Sequence, residues 1–314
     1  MTAKHKLIIL IGPTASGKSS LALKIAQKFS KTPIVNADAF QVYKDLQIIT
    51  SSPTNEDKII APHYLYNYLD IGACYSVAKY IQDVNKVLLE ISQTSNFSIL
   101  VGGSHMYIYN LLYGLDDIPT TDKNISEQSE KLLNNLGKSE FYQLLSELDP
   151  KIIGIIGPSD TQRMLRAYNV KKQTGVSIID FRKKQENISS NFLSTYDTKI
   201  IALNPERTKL YKNCDARVEF MFNNGAIEEV GAIIAKNDNI SNSTFKAIGF
   251  DEIKSYLNKN LSYDEALNTT KQRTRNYAKR QVTWCKNKFD NKTTHDSSYT
   301  FADVELKIDS WLNL

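Results

Sequence analysis

Cysteine is scarce. Cys74, Cys214 and Cys285 are odd in number, far apart and without a C-x-x-C pair, which argues against a disulfide framework or a zinc site and fits a reducing cytoplasm. Long apolar runs are missing too. The run from Leu7 to Ile11 is too short for a secretory h-region, and no segment approaches the roughly 18 apolar residues of a membrane span. A soluble cytoplasmic chain is therefore expected. His5, His63, His105 and His295 are scattered singly, none in a metal-ligand spacing, so satisfied core or surface roles are expected for all four. No internal repeat or low-complexity tract occurs, and no large charge of one sign: a net +5 permits a polyanionic partner without demanding one. With 41% hydrophobic and 23% charged residues over 314 positions, the composition is that of a globular protein of one large or two modest domains.

What is present is a phosphate loop. Gly12-Pro13-Thr14-Ala15-Ser16-Gly17-Lys18-Ser19 has the G-x-x-x-x-G-K-S spacing, between the buried-strand run Leu7 to Ile11 and a helix-periodic run carrying Leu21, Ile25 and Phe29 on one face. Glycines let successive backbone N–H groups converge on phosphate oxygens, and the following helix adds its positive dipole end. Lys18 supplies a point charge, and the Ser19 hydroxyl can reach a magnesium ion. The loop names a phosphate and not a reaction.

Downstream, Thr32 to Val35 reads as a second strand with Asn36-Ala37-Asp38 at its carboxyl end, which puts a carboxylate at the ligand rim of an open α/β sheet. Asp38 is a candidate general base or metal ligand, with a turn cap as the plainer role. Gln41 to Ser52 reads as irregular loop, with turn chemistry through Pro53 and Asn55. Ser76 to Ile91 reads as an amphipathic helix, and Phe97 to Val101 as a third strand. That strand ends in Gly102-Gly103-Ser104 where a hydrolytic ATPase would place a magnesium-holding aspartate, so ATP hydrolysis is disfavoured. The texture then turns to polar helical segments, 126–136 and 138–148, and a helix capped near Asp160 that stops at Gly175. Phe181 to Asp197 has little periodicity and is expected to be mobile. Lys199 to Leu203 restores strand character, and helices follow over 208–223, 226–235 and 263–288. The expected fold is α/β: a P-loop-containing parallel sheet core flanked by helices, from 1–118 and 196–314, with a helical insertion at 119–195.

Two basic clusters stand out. Gln162, Arg163 and Arg166 share a helix face. Between Lys271 and Lys288 lie seven lysines and arginines and no acidic residue, with Tyr277 and Trp284 among them and Ala278, Val282, Cys285 and Phe289 on one apolar stripe. Such a helix can dock on a core while presenting charge to RNA phosphates and an aromatic ring to an unpaired base.

The phosphate loop, Asn36-Ala37-Asp38 through Gln41-Val42-Tyr43, Gly102-Gly103-Ser104, Gln162-Arg163 with Arg166-Ala167, Ala247-Ile248-Gly249-Phe250 and Tyr277 to Trp284 occur in the order found in tRNA dimethylallyltransferases, which this chain resembles over nearly its whole length. The resemblance implies transfer of a dimethylallyl group from dimethylallyl diphosphate to the exocyclic amine of the adenosine 3′ of the anticodon. Asp38 would be the base, and Ser104 the hydroxyl at the diphosphate bridging oxygen or the amine. Lys18, the loop amides, Arg217 and a magnesium ion at Ser19 would stabilise the leaving group. The stretches matching RNA contacts are Asp38, Ala39, Phe40 and Gln41; Ser104; Gln162, Arg163, Met164, Leu165 and Arg166; Lys246, Ala247, Ile248, Gly249, Phe250 and Asp251; and Lys279, Arg280, Gln281, Val282, Thr283, Trp284, Cys285 and Lys286. The implied partners are the tRNA anticodon stem-loop, gripped by the insertion, and dimethylallyl diphosphate; no membrane is implied, and a monomer is expected. Ala39, Phe40 and Cys285 depart from the usual family residues. Competing readings are an adenylate isopentenyltransferase acting on a free nucleotide, a P-loop nucleotide kinase, and a non-catalytic RNA-binding module. The insertion and the basic carboxyl-terminal helix favour tRNA over a free nucleotide.

Overall fold

The computed structural model describes residues 4–29, 31–73, 75–181, 191–236, 247–289, 294–296 and 301–312. The chain divides into two compact units, Met1–Leu112 with Ser190–Leu314, and Tyr113–Ser189.

In the first unit β1 (Lys6–Ile11) is central, because Leu7 to Ile11 have no exposed surface on either side. An uninterrupted aliphatic run suits a strand covered on both faces. Around it form α1 (Lys18–Lys28), β2 (Ile34–Asn36), α2 (Asn55–Ile60), β3 (His63–Tyr64), α3 (Val77–Ser92), β4 (Phe97–Gly102) and α4 (His105–Tyr113). The second unit holds α5 (Lys123–Leu148), a tight turn at Pro150–Ile152, and α6 (Thr161–Thr174). The first unit then resumes with α7 (Asn191–Thr195), β5 (Asp197–Leu203), α8 (Arg207–Asn223), α9 (Ala226–Lys236), α10 (Phe250–Leu257), α11 (Tyr263–Lys288), β6 (Thr294–Asp296) and α12 (Phe301–Leu312). The strands make one sheet in the order β3-β2-β4-β1-β5-β6 with every pairing parallel. The return of strand character after position 196 is thus the continuation of the sheet beside β1.

Several expectations shift. The turn chemistry near Asn55 is a helix start: Thr54 and Asp57 form a reciprocal capping box that opens α2. Residues 41–52 lack regular structure yet are anchored in the core, since Val42, Leu46 and Ile49 pack with Val218, Met221 and Phe222 of α8 and with α9 and α10. The segment expected to be mobile includes α7 and the start of β5, where Phe192 and Tyr196 are buried and packed ring to ring; 182–190 lie outside the described residues, as do Cys74 and Lys246. In the second unit Gly137, at φ +78°, breaks α5 into the two helical segments read from the sequence. Leu133, Phe141, Leu145, Met164 and Ala167 form that unit's own core. Among the described residues no helix is long and apolar enough to cross a membrane.

Candidate active site

The phosphate loop leaves β1 where only glycine fits: a Cβ on Gly12 would lie 2.5 Å from the Leu203 carbonyl oxygen of β5. Gly17, at φ +89°, caps α1. Leu210 and Cys214 of α8 and Ala278 of α11 pack against Ala15 and hold the loop from outside the sheet. Lys18 is 9% exposed, and its ammonium donates to the Pro13 carbonyl at 2.6 Å. Burial pushes its pKa down to about 8, with the Asp38 carboxylate opposing and Arg217 adding to the fall.

Asp38 is aimed by the end of β2. Asn36 accepts the Asp38 N–H at 2.8 Å and donates to the Asp38 and Leu65 carbonyls at 2.9 and 3.0 Å. Asp38 Oδ1 in turn accepts the Phe40 N–H at 2.9 Å. Turn cap and functional carboxylate are compatible, because an ionised carboxylate offers about four lone-pair positions and the turn takes one. The neighbouring end of β4 must be glycine, since a Cβ on Gly102 would fall 2.0 Å from the Ala37 carbonyl oxygen. That close approach is the steric reason for the first of the two glycines at this strand end. Ser104 Oγ accepts the Ala39 N–H at 2.9 Å, which commits the oxygen to the Asp38 turn and leaves its proton to be donated.

Lys18 and Asp38 meet in an open cavity of about 440 Å³, within the usual range for small-molecule sites. Thr14, Lys18 and Ser19 line its phosphate side, followed by Asp38 with Gly102 and Gly103. Arg217 and Arg280 supply cations, and Phe40, Ile49, Val218, Met221, Ala247 and Ile248 an apolar wall. The Arg217 guanidinium donates to the Thr50 carbonyl at 2.8 Å; burial weakens its basicity, Asp38 restores part of it, and it stays charged. The segment leading to Thr50 is held by Glu229, whose carboxylate accepts the N–H groups of Gln47, Ile48 and Ile49 at 2.8, 2.7 and 3.0 Å. Sequence reading missed Ile49, Thr50, Met221 and Glu229, because their roles depend on contacts more than 160 positions apart; no local signal marks them.

Of the expected residues, Thr14, Lys18, Ser19, Asp38, Phe40, Gln41, Arg217, Ala247, Ile248, Arg280 and Gln281 come together at this cavity, while Ser104 is outside its lining. Gln162, Arg163, Met164, Leu165 and Arg166 belong to the other unit. There Gln162 and Arg163 are exposed, and Arg166 donates to the Thr121 hydroxyl and the Pro119 carbonyl. Among the side chains named as RNA contacts, Met164, Phe250 and Cys285 are interior instead, at 0%, 2% and 6% exposed and outside the cavity lining, while Ala247 and Gln281 are buried against the cavity.

Of the two aromatic rings in the basic stretch of α11, Tyr277 lines the cavity and Trp284 is half-buried against neighbouring rings. Trp284 stacks on His105 with centroids 5.7 Å apart and meets Tyr109 and Phe289 edge-on. Three of the seven basic side chains are ion-paired, Lys271 with Glu219, Arg273 with Glu252, and Arg275 with Asp215. Lys279, Arg280 and Lys286 stay exposed. His105 is buried as one of the two alternatives held, but it is not satisfied: neither ring nitrogen has a well-formed hydrogen bond, and burial, then the charge of Lys18, push its pKa down to about 4, with the Gly12 and Gln281 backbones opposing in part.

A parallel sheet carrying a phosphate loop, with a carboxylate, an arginine and apolar side chains lining one cavity, defines a P-loop α/β protein built to hold a phosphorylated ligand. The pattern of the IPP transferase family matches residues 41–288. A tRNA dimethylallyltransferase of Rickettsia bellii (strain OSU 85-389) is 43% identical over 99% of this chain and 98% of its own length. One from Rickettsia felis is 41% identical over 98% and 99%. Among solved structures, the tRNA isopentenylpyrophosphate transferase of Bacillus halodurans is similar with a TM-score of 0.68 at 28% identity, covering 99% of this chain and 96% of that one. A eukaryotic dimethylallyltransferase acting on tRNA reaches 0.73 at 28% identity, covering 90% and 70%. The chain belongs to the IPP transferase family.

Proposed function

We propose that the protein transfers the dimethylallyl group of dimethylallyl diphosphate to the exocyclic amine of the adenosine 3′ of the anticodon in tRNA, releasing diphosphate. The observation that carries this reading is the composition of one cavity: a phosphate cradle with a buried lysine and an arginine, apolar side chains suited to a five-carbon chain, and a carboxylate. The amine nitrogen forms a bond to the allylic carbon as the carbon–oxygen bond breaks. Its proton goes to Asp38, and the electron pair leaves with the diphosphate. Lys18, Arg217 and the loop amides stabilise that charge in place, and removing one such donor costs about 3 kcal/mol of barrier. The target base is extruded from its stack to reach the cavity, at a cost of a few kcal/mol.

Magnesium suits the donors present. Ser19 borders the phosphate side of the cavity, and a phosphate-loop serine hydroxyl commonly shares a magnesium ion with substrate phosphates and water. When bound, it would help neutralise the diphosphate. The exposed Gln162 and Arg163 of the second unit suit contact with the anticodon stem.

Asp38→Ala tests the assignment. Stem-loop RNA should bind the variant within about twofold of the parent, and transfer, read by mass spectrometry of the RNA nucleosides, should fall by at least about a hundredfold. Full activity of the variant would remove Asp38 as the base. Phosphate appearing on an acceptor from labelled ATP would favour a kinase.

A further inference from the structure

Gln281 falls in a sequence block that resemblance assigns to RNA contact, but its side chain is committed elsewhere. It is 5% exposed and projects from α11 into the junction of the two halves of the site. Its Oε1 accepts the Thr14 N–H of the phosphate loop at 2.8 Å, and its Nε2 donates to the Gly103 carbonyl at 2.8 Å. Gly103 is where the halves meet. A Cβ built there would lie 2.7 Å from Gln281 Nε2, 3.5 Å from the Gly12 carbonyl oxygen and 3.7 Å from Asp38 Oδ2. From Gly103 the next residue reaches back to the base, since the Ser104 N–H donates to the Ala37 carbonyl at 3.1 Å. One primary amide thus bridges an acceptor-seeking N–H on the diphosphate side to a donor-seeking carbonyl on the carboxylate side.

We propose that Gln281 is a positioning residue for the transfer reaction, fixing the spacing between the phosphate loop and the Asp38 turn, and not a residue that recognises RNA. The proposal rests on the reading of the cavity as a prenyl-transfer site. An amide suits the geometry, because it accepts at one atom and donates at the other without ionising at neutral pH, where a carboxyl of the same length has lost its donor. Misplacement of reacting groups by as little as an ångström is enough to lower a rate by about a hundredfold. A change here should therefore appear in the chemical step and leave RNA affinity alone.

The test compares the parent with Gln281→Met, which keeps the length and loses both hydrogen bonds, and Gln281→Glu, which keeps the acceptor. Single-turnover transfer and equilibrium binding of an anticodon stem-loop are measured on each, with thermal unfolding to establish that each is folded. The expected result for Gln281→Met is a fall in single-turnover rate of about tenfold to a hundredfold with RNA affinity within about twofold of the parent. Ionised Gln281→Glu sets a carboxylate oxygen against the Gly103 carbonyl and should be at least as slow at pH 8. Protonation restores a donor, so its rate relative to the parent should climb as pH falls from 8 to 5.5. A loss of RNA affinity in Gln281→Met that matches the loss of rate would overturn the proposal, as would a Gln281→Glu ratio indifferent to pH. If the parent itself transfers no prenyl group, the reading of the cavity fails as well, and the two failures are told apart by that control.

Discussion

Lys18 shows how a single residue can serve function against stability. A free lysine titrates near 10.4, and burial brings Lys18 to about 8. Because the folded value lies below the unfolded one, the penalty for burying the charge is fully present below pH 8 and is relieved between about pH 8 and 10.4, so this group's contribution to stability rises with pH there. Diphosphate binding has the opposite sign, since it needs the ammonium. Pyrophosphate affinity, taken as a ratio to Lys18→Arg so that the ligand's own titration cancels, should be level below pH 8 and fall by about tenfold per pH unit above it. Calorimetric titration from pH 6.5 to 9.5 checks this; a ratio that stays flat to pH 9.5 would show that the site does not depend on the Lys18 charge. The phosphate loop and Asp38 were legible as residues because their spacing encodes the chemistry locally. Glu229 was not, since nothing near it in the chain says that three backbone N–H groups from positions 47 to 49 will converge on it.

Among the elements, α11 carries the most information and was read half correctly. Its apolar stripe was legible from period alone: Ala278, Cys285 and Phe289 are buried and Val282 is partly so, as the three-and-four spacing requires. Which polar groups remained available was not legible, because the carboxylates that pair with Lys271, Arg273 and Arg275 come from α8 and α10. Replacing Lys279 and Arg280 together by alanine should lower the slope of log affinity against log salt for stem-loop RNA by about two, roughly one per phosphate contact, whereas Lys271→Ala should leave it unchanged. Binding measured at several salt concentrations decides between them. Trp284 should behave as a packing residue. Trp284→Ala is expected to cost about 3 kcal/mol in urea unfolding, with RNA affinity of the folded variant within about twofold of the parent; lost affinity at unchanged stability would return the ring to the binding face.

Across the whole molecule, the phosphate site and the helical unit rest on different cores, since the cluster built on Leu133, Phe141 and Met164 draws on residues of the second unit alone. Pyrophosphate at a hundred times its dissociation constant should add about 2.7 kcal/mol to the unit that binds it. Hydrogen exchange should register that gain in the amides of β1 and β4 and show no change in α6, while equal protection in both would mean that the two unfold together. The central strands and the longer helices were set by the sequence by itself: runs such as Leu7 to Ile11 can only be covered on both faces, helix periods and caps such as Asp160 and Gly175 fix where helices start and stop, and the phosphate loop requires its strand and helix. Tertiary structure alone decided what each polar group faces. Hydrogen bonds and ion pairs depend on atoms a few ångströms apart, and the partners of Thr14, Arg217, Trp284 and Gln281 lie far from them along the chain, where only the closed sheet and its packed helices bring them into reach.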